Sequence, residues 1–248
     1  MYEWDEYAKG VLAGELLSCV YVKNAVMRYE NMRKDSRFEF RPKEVSRIIA
    51  FFAILKHFAG KHAGKPFKLE LWQQFIIAAV YGFYWRGKSE SVVTSVYIEM
   101  ARKQGKTAFA AGLSLFHEIA DGEAAAEVYL AANSREQAKI AYTMCKNFAK
   151  TIDRKEQLLR IYRDSITFEK TLSILKVVAA DATKLDGPNP SMFLLDEYHA
   201  AKDTSLKDVL QSGQGMRENP MQIIITTAGF DKLGPCYQMR TVCTEILQ

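Results

Sequence analysis

The sequence predicts an α/β fold: a mostly parallel central sheet flanked by helices and preceded by a helical N-terminal region. Three observations carry the prediction. Residues 1–90 are patterned as helix almost throughout. From about residue 91, short β-rich runs alternate with helical ones. Those runs are close to continuously apolar, as parallel strands buried on both faces require.

In chain order, 4–34 ("WDEYAKGVLAGELLSCVYVKNAVMRYENMRK") spaces its apolar residues at the helical period. The segment 41–60 opens with Pro42 near a helix N-terminus and stops at Gly60. A Gly/Lys/Pro loop, "GKHAGKPF", leads into a third helical stretch at 68–87. Strands are expected at 91–99, 127–132, 165–168, 173–179, 191–196 and 222–227, and helices at 106–120, 134–152 and 204–212. The runs 165–168 and 173–179, joined through "EKT", read as a hairpin decorating the sheet. The densest basic stretch, 150–163, spaces Leu158, Leu159, Ile161 and Tyr162 as an amphipathic helix whose charges form either a solvated face or a DNA contact. Residues 1–65 are expected to be a helical lid or docking arm, and 66–248 the core.

With 248 residues, 48% of them hydrophobic and 25% charged, the composition is that of a soluble globular protein. A net charge of +5 permits a polyanionic partner without demanding one. The longest uncharged apolar stretch, 71–85, is too short to span a bilayer, and "MYEWDEYAKG" lacks an export signal. Neither the four cysteines nor the four histidines fall at zinc-binding spacing.

"MARKQGKTAFAAG" (100–112) resembles a phosphate-binding loop, G-x-x-x-x-G-K-[ST], with Met100 in place of the opening glycine. It lies between a strand and an amphipathic helix bearing Phe109, Leu113, Phe116 and Ile119. Free N–H groups at such a helix start cradle phosphate oxygens, Lys106 would reach the β- and γ-phosphates, and Thr107 would ligate Mg²⁺. Taken alone, the triplet reads equally well as a basic turn. Further along, "MFLLDEYHA" delivers Asp196 and Glu197 to the end of an apolar strand, the rim where open α/β sheets bind ligands. Asp196 suits the metal and Glu197 the attacking water. "IIITTAG" ends another strand in Thr226, Thr227 and Gly229, suited to sensing a γ-phosphate. Upstream, Gln73 offers an amide to adenine or, alone, is a helix-surface residue. Their order makes accident improbable.

The chain resembles the large terminase subunits of tailed bacteriophages along nearly its whole length. The resemblance runs through "YAKGVLAGELL", "PFKLELWQ", "IEMARKQGKTAFAAGLSL", "YLAANSREQAK", "KLDGPNPSMFLLDEYHA" and "GMRENPMQIIITTAG". It implies a P-loop NTPase of the RecA-like (ASCE) type that hydrolyses ATP with Mg²⁺ and moves double-stranded DNA into a procapsid. By resemblance, Gln73, Ala101, Arg102, Lys103, Gln104, Gly105, Lys106 and Thr107 bind ATP. Thr107 and Asp196 hold the metal, while Glu197, Lys106 and Arg102 serve catalysis. Thr226, Thr227 and Gly229 couple hydrolysis to movement. The implied partners are a portal protein, a small terminase subunit and further copies in a ring, in the cytoplasm of an infected bacterium. The family's C-terminal nuclease domain is not expected within a sequence that stops at Gln248.

Arginine-finger candidates are Arg102 in cis, and Arg135, Arg217 or the neighbourhood of Lys184 in trans. The rival readings are a helicase-like ATPase, since "DEYH" fits a D-E-x-H box, and a nucleotide-binding subunit without turnover.

Overall fold

The structure is a computed structural model describing residues 2–155, 157–179 and 187–248. The first third forms α1 (Glu3–Ala13), α2 (Val20–Lys34), β1 (Phe38–Phe40), α3 (Pro42–Ile54), α4 (Leu71–Tyr81) and β2 (Phe83–Trp85). The stretch expected to be helical over 4–34 breaks at Gly14, whose φ of 77° closes α1 with a left-handed cap. The helix expected to run to Gly60 ends at Ile54, and the one expected over 68–87 ends at Tyr81. Beyond it, the aromatic run Phe83–Trp85 pairs antiparallel with Phe38–Phe40. Aromatic residues fit a pleated, half-buried surface, and here that contact overrides helical continuity.

The sheet follows: β3 (Ser95–Glu99), β4 (Glu127–Ala132), β5 (Leu159–Ile161), β6 (Ser165–Phe168), β7 (Ser173–Ala179), β8 (Met192–Asp196) and β9 (Met221–Thr226). Its spatial order is β3-β9-β8-β4-β7-β6-β5. The five strands from β3 to β7 are mutually parallel, and β6 and β5 add an antiparallel edge, as the hairpin reading expected. β5 replaces the last part of the amphipathic helix expected over 150–163. The Asp153 carboxylate accepts the backbone N–H groups of Gln157, Leu158 and Leu159, which ends the preceding helix and turns the chain into a strand.

The helices of this half are α5 (Lys106–Ile119), α6 (Arg135–Ile152), α7 (Ser205–Ser212) and α8 (Pro235–Ile246), the last unanticipated. One continuous apolar core runs from Trp4 to Ile225 and joins the N-terminal helices to the sheet through α5. Phe109, Leu113 and Phe116 form the buried stripe of α5, each about 1% exposed. Burying a side chain of this size contributes roughly 1.5–3 kcal/mol. Gly112 lets α3 approach, because a Cβ there would lie 2.4 Å from the Phe52 ring. Register aligns one rim: Ala132 and Ile225 flank Asp196, and Glu99 faces Thr226, all at the C-terminal ends of parallel strands. No helix among the described residues is long and apolar enough to cross a membrane.

Candidate nucleotide site

The loop leaves β3 at Glu99 and is tied down at once, with the Met100 N–H donating to the Thr226 carbonyl at 3.1 Å. Met100 also packs against the core, so the residue standing where a glycine is usual acts as an anchor. Lys103 and Gly105 take left-handed φ values of 66° and 76°. That geometry is easy for glycine and uncommon for lysine. Helix α5 then starts at Lys106 with its first amides facing the loop, and Phe109 N is bonded to Gly105 O at 3.0 Å. Ala101 through Gly105 are exposed, whereas Lys106 is buried.

Lys106 and Glu197 meet: Nζ lies 2.8 Å from Oε1. The Thr107 hydroxyl donates to Asp196 Oδ2 at 3.3 Å. Residues some ninety positions apart thus converge on one point of the rim. Asp196 is 5% exposed. Burial pushes its carboxyl up to about 6 and the Glu197 charge adds to this, against the opposing pull of Lys106 and Thr107. Asp196 Oδ1 and Glu197 Oε2 are buried without hydrogen-bond partners, an arrangement that costs stability unless something binds there. Glu197 is held at φ 53°, left-handed for a residue that rarely adopts it, which turns its side chain back toward the loop lysine.

His199 is the residue that the motif reading used only to weigh a helicase. Its backbone N–H donates to Thr226 Oγ1 at 3.0 Å, and its Nδ1 lies 3.2 Å from the same oxygen and 3.4 Å from Thr227 Oγ1. Nδ1 is also 3.2 Å from Glu197 Oε2, an approach out of hydrogen-bond alignment. Thr226 in turn donates to the Thr227 carbonyl at 2.8 Å. Gly229 permits this closeness, since a Cβ there would stand 3.0 Å from the His199 Cβ. The expected coupling residues therefore touch the carboxylate through an imidazole. The signal was present in the spacing of "DEYH" but needed the third dimension to acquire a partner.

Gln73 is 4% exposed, and its Oε1 accepts the Glu70 N–H at 2.9 Å, closing a capping box at the start of α4. It is therefore no helix-surface residue. Trp72 packs edge-on against Phe109 at 6.0 Å, which places this turn beside the first turn of α5.

Among the finger candidates, Arg102 is exposed on the loop. Arg135 pairs with Asp164 at 2.9 Å with its side chain 58% exposed. Arg217 is spent: it pairs with Glu123 at 2.8 Å and donates to the carbonyls of Ala125 and Asn189 at the opposite rim of the sheet. Lys184 lies outside the described residues.

Together the parallel sheet, the phosphate-type loop and the paired carboxylates define a P-loop NTPase of the RecA-like type. The family model for the terminase large subunit, ATPase domain, matches residues 71–245, and the chain belongs to that family. It is 28% identical over 192 residues to the terminase large subunit of Enterobacteria phage HK97, an alignment covering 73% of this chain and 36% of that protein. The crystal structure of the HK97 bacteriophage large terminase superposes with a TM-score of 0.69 at 23% identity, over 84% of this chain and 42% of that one. Protein YmfN of Escherichia coli strain K12 is 39% identical over 62 residues, 25% of this chain and 14% of that protein. The chain thus spans well under half the length of these relatives.

Proposed function

We propose that this chain is the ATP-hydrolysing domain of a DNA-packaging motor, acting on double-stranded DNA. One observation carries the reading: Lys106, Thr107, Asp196 and Glu197 converge at the C-terminal rim of the sheet, with Nζ 2.8 Å from the Glu197 carboxylate.

Residues 66–248 act as the catalytic core and 1–65 as a lid or docking arm. The exposed loop Ala101–Gly105, with Gln104 among its residues, wraps the triphosphate, and Gln73 reads adenine through its amide. Thr107 and Asp196 offer only oxygen ligands, and Asp196 Oδ1 lacks any partner, a donor set that fits Mg²⁺. When bound, the ion would neutralise charge on the β- and γ-phosphates. Glu197 orients the attacking water. A triphosphate competes for the ammonium that Glu197 now holds, so nucleotide binding frees the carboxylate for that task. Lys106, assisted by Arg102, stabilises charge spreading over the transferred phosphoryl group. Thr226 and Thr227, reached through His199, feel the change at Glu197 and pass it to β9 and to the loop anchor at Met100. The working form is a ring of copies at a portal, loaded by a small subunit in the cytoplasm of an infected host.

The test compares nucleotide binding and ATP turnover in the parent, Lys106→Ala and Glu197→Gln. Lys106→Ala should bind nucleotide weakly, and Glu197→Gln should bind ATP without cleaving it. Parent-rate turnover by Glu197→Gln would overturn the assignment.

A further inference from the structure

The Gly/Lys/Pro loop and the basic stretch after residue 143 have no part in the nucleotide site, and the fold brings them together. Residues 55–69 contain Lys56, Lys61, Lys65 and Lys68, with His57 and His62, and no acidic residue. The second half of α6 and its exit carry Lys146, Lys150, Arg154 and Lys155, with Asp153 between them and Glu156 next in the sequence. The Asp153 carboxylate is occupied by three backbone N–H groups. Phe67, 6% exposed, is the hinge between the two segments, edge-on to Phe148 of α6 at 5.8 Å and packed on Phe52 of α3 at 5.7 Å.

The loop is built rather than merely exposed. Phe67 N donates to Leu55 O at 2.8 Å, His57 N to Lys65 O at 3.0 Å and Gly64 N to His57 O at 2.7 Å, while His57 stacks on Phe67 at 4.8 Å. Gly60 and Gly64 supply the left-handed turns at its tip. Elsewhere several cations have acids, Arg33 with Asp5, Arg41 with Glu39, Arg47 with Glu44, Lys176 with Glu127 and Arg240 with Glu99, while Lys23, Lys34, Lys43 and Lys232 stand exposed and separate from one another in sequence. Among the described residues, none of the eight cations of this surface has a carboxylate within ion-pair distance. A preordered surface with a marked excess of unpaired cations has paid little of its binding energy to internal pairs, and repulsion among those cations falls when a polyanion arrives.

We propose that the 56–68 loop and the C-terminal half of α6 form one phosphate-backbone contact for duplex DNA. The choice of DNA rests on the motor reading above; the Phe67–Phe148 contact and the unpaired cations on the two segments it joins do not. Contacts of this kind position the duplex without reading its sequence.

The experiment measures binding of a short fluorescent DNA duplex by anisotropy between about 50 and 200 mM salt. It compares the parent with Lys61→Ala/Lys65→Ala/Lys150→Ala/Arg154→Ala and with a control losing Lys23, Lys34, Lys43 and Lys232, all four exposed elsewhere. Each lost phosphate contact removes about 0.9 from the slope of log affinity against log salt, so the first variant should be shallower by roughly 3–4. Its ATP turnover without DNA should match the parent. In the unsubstituted chain, duplex DNA should slow acetylation of Lys61, Lys65 and Lys150 but not of Lys34 or Lys232, a readout independent of any variant's folding. A parent-like slope in the variant, an equal loss in the control or uniform acetylation would overturn this contact and leave the motor reading standing. If the parent showed no salt-dependent DNA binding, both would fall.

Discussion

The two rims of the sheet are built from similar residues and treat them differently. At the N-terminal rim three carboxylates are matched: Glu123 with Arg217, Glu127 with Tyr129 and Lys176, and Asp121 with His117 and the Glu123 amide. At the C-terminal rim Asp196 and Glu197 each keep a buried oxygen without a hydrogen bond, although Lys106 and Thr107 stand beside them. Matched charge holds elements together. Mismatched charge beside a cation is where the proposed nucleotide and metal would bind.

Substitution at the C-terminal rim should break that contrast most strongly. Removing the ammonium in Lys106→Ala should lower ATP turnover by about 10²–10³, the usual effect of losing one preorganised donor to a developing charge. Its melting temperature should change little, because deleting the buried ammonium also removes the cost of desolvating it. A large loss of stability with turnover per folded molecule intact would reverse the roles assigned to the two rims.

Arg217→Ala tests the other side. It leaves Glu123 without its partner and frees the carbonyls of Ala125 and Asn189, a loss of about 2–4 kcal/mol after allowing for the partial exposure of Glu123. Turnover per folded molecule should stay at the parent level. Denaturant unfolding and single-turnover hydrolysis on the same preparation separate the two effects. A selective loss of turnover would restore Arg217 as an active-site group.

Much of this contrast was legible in the sequence, and the limits have physical causes. The loop, the Asp196–Glu197 pair and the Thr226–Thr227 strand end were readable because strand, turn and helix signals are local. So were α5, α6 and α7, whose apolar spacing matches the faces they bury. The three-residue strands were not readable. Phe83–Trp85 exists because Phe38–Phe40 pairs with it, and Leu159–Ile161 because Asp153 takes up three amides. Helix α8, which leaves Tyr237, Val242 and Ile246 exposed, has too weak an apolar stripe to announce itself. Arg217 stood among the arginine-finger candidates because its carbonyl partners carry no side-chain signature. His199 lacked a role for the same reason, since its contacts come from a strand 27 positions away.

His199→Ala sharpens the contrast within the functional rim. It removes the group between Glu197 and the two threonines without touching Lys106 or Thr107. A loss of about 10–100-fold in turnover is expected, the range for residues that orient a reacting group through another. Nucleotide affinity should hold, and His199→Asn should recover part of the rate by keeping a polar atom near Thr226. Equal losses of affinity and turnover would mean that the histidine only supports the fold.

The smallest effect should come from Glu118, which shows that an unmatched carboxylate alone does not make a site. It is 2% exposed in the last turn of α5, and neither oxygen has a hydrogen-bond partner of ordinary geometry. Among the described residues no cation pairs with it as Lys106 does with Glu197. Burial pushes its carboxyl well above the usual range, opposed in part by the Leu175 amide. Because the folded-state value exceeds the unfolded one, the proton favours the fold fully below the unfolded value. That contribution is lost as pH rises through the folded value. Glu118→Gln cannot ionise, so its melting temperature should gain on the parent's as pH is raised. Each kcal/mol is worth about 2–4 °C in a chain of this size. Parallel melting curves across that range would show that Glu118 ionises inside the core at no cost, and unmatched oxygens at the nucleotide rim would then lose their force as a sign of binding.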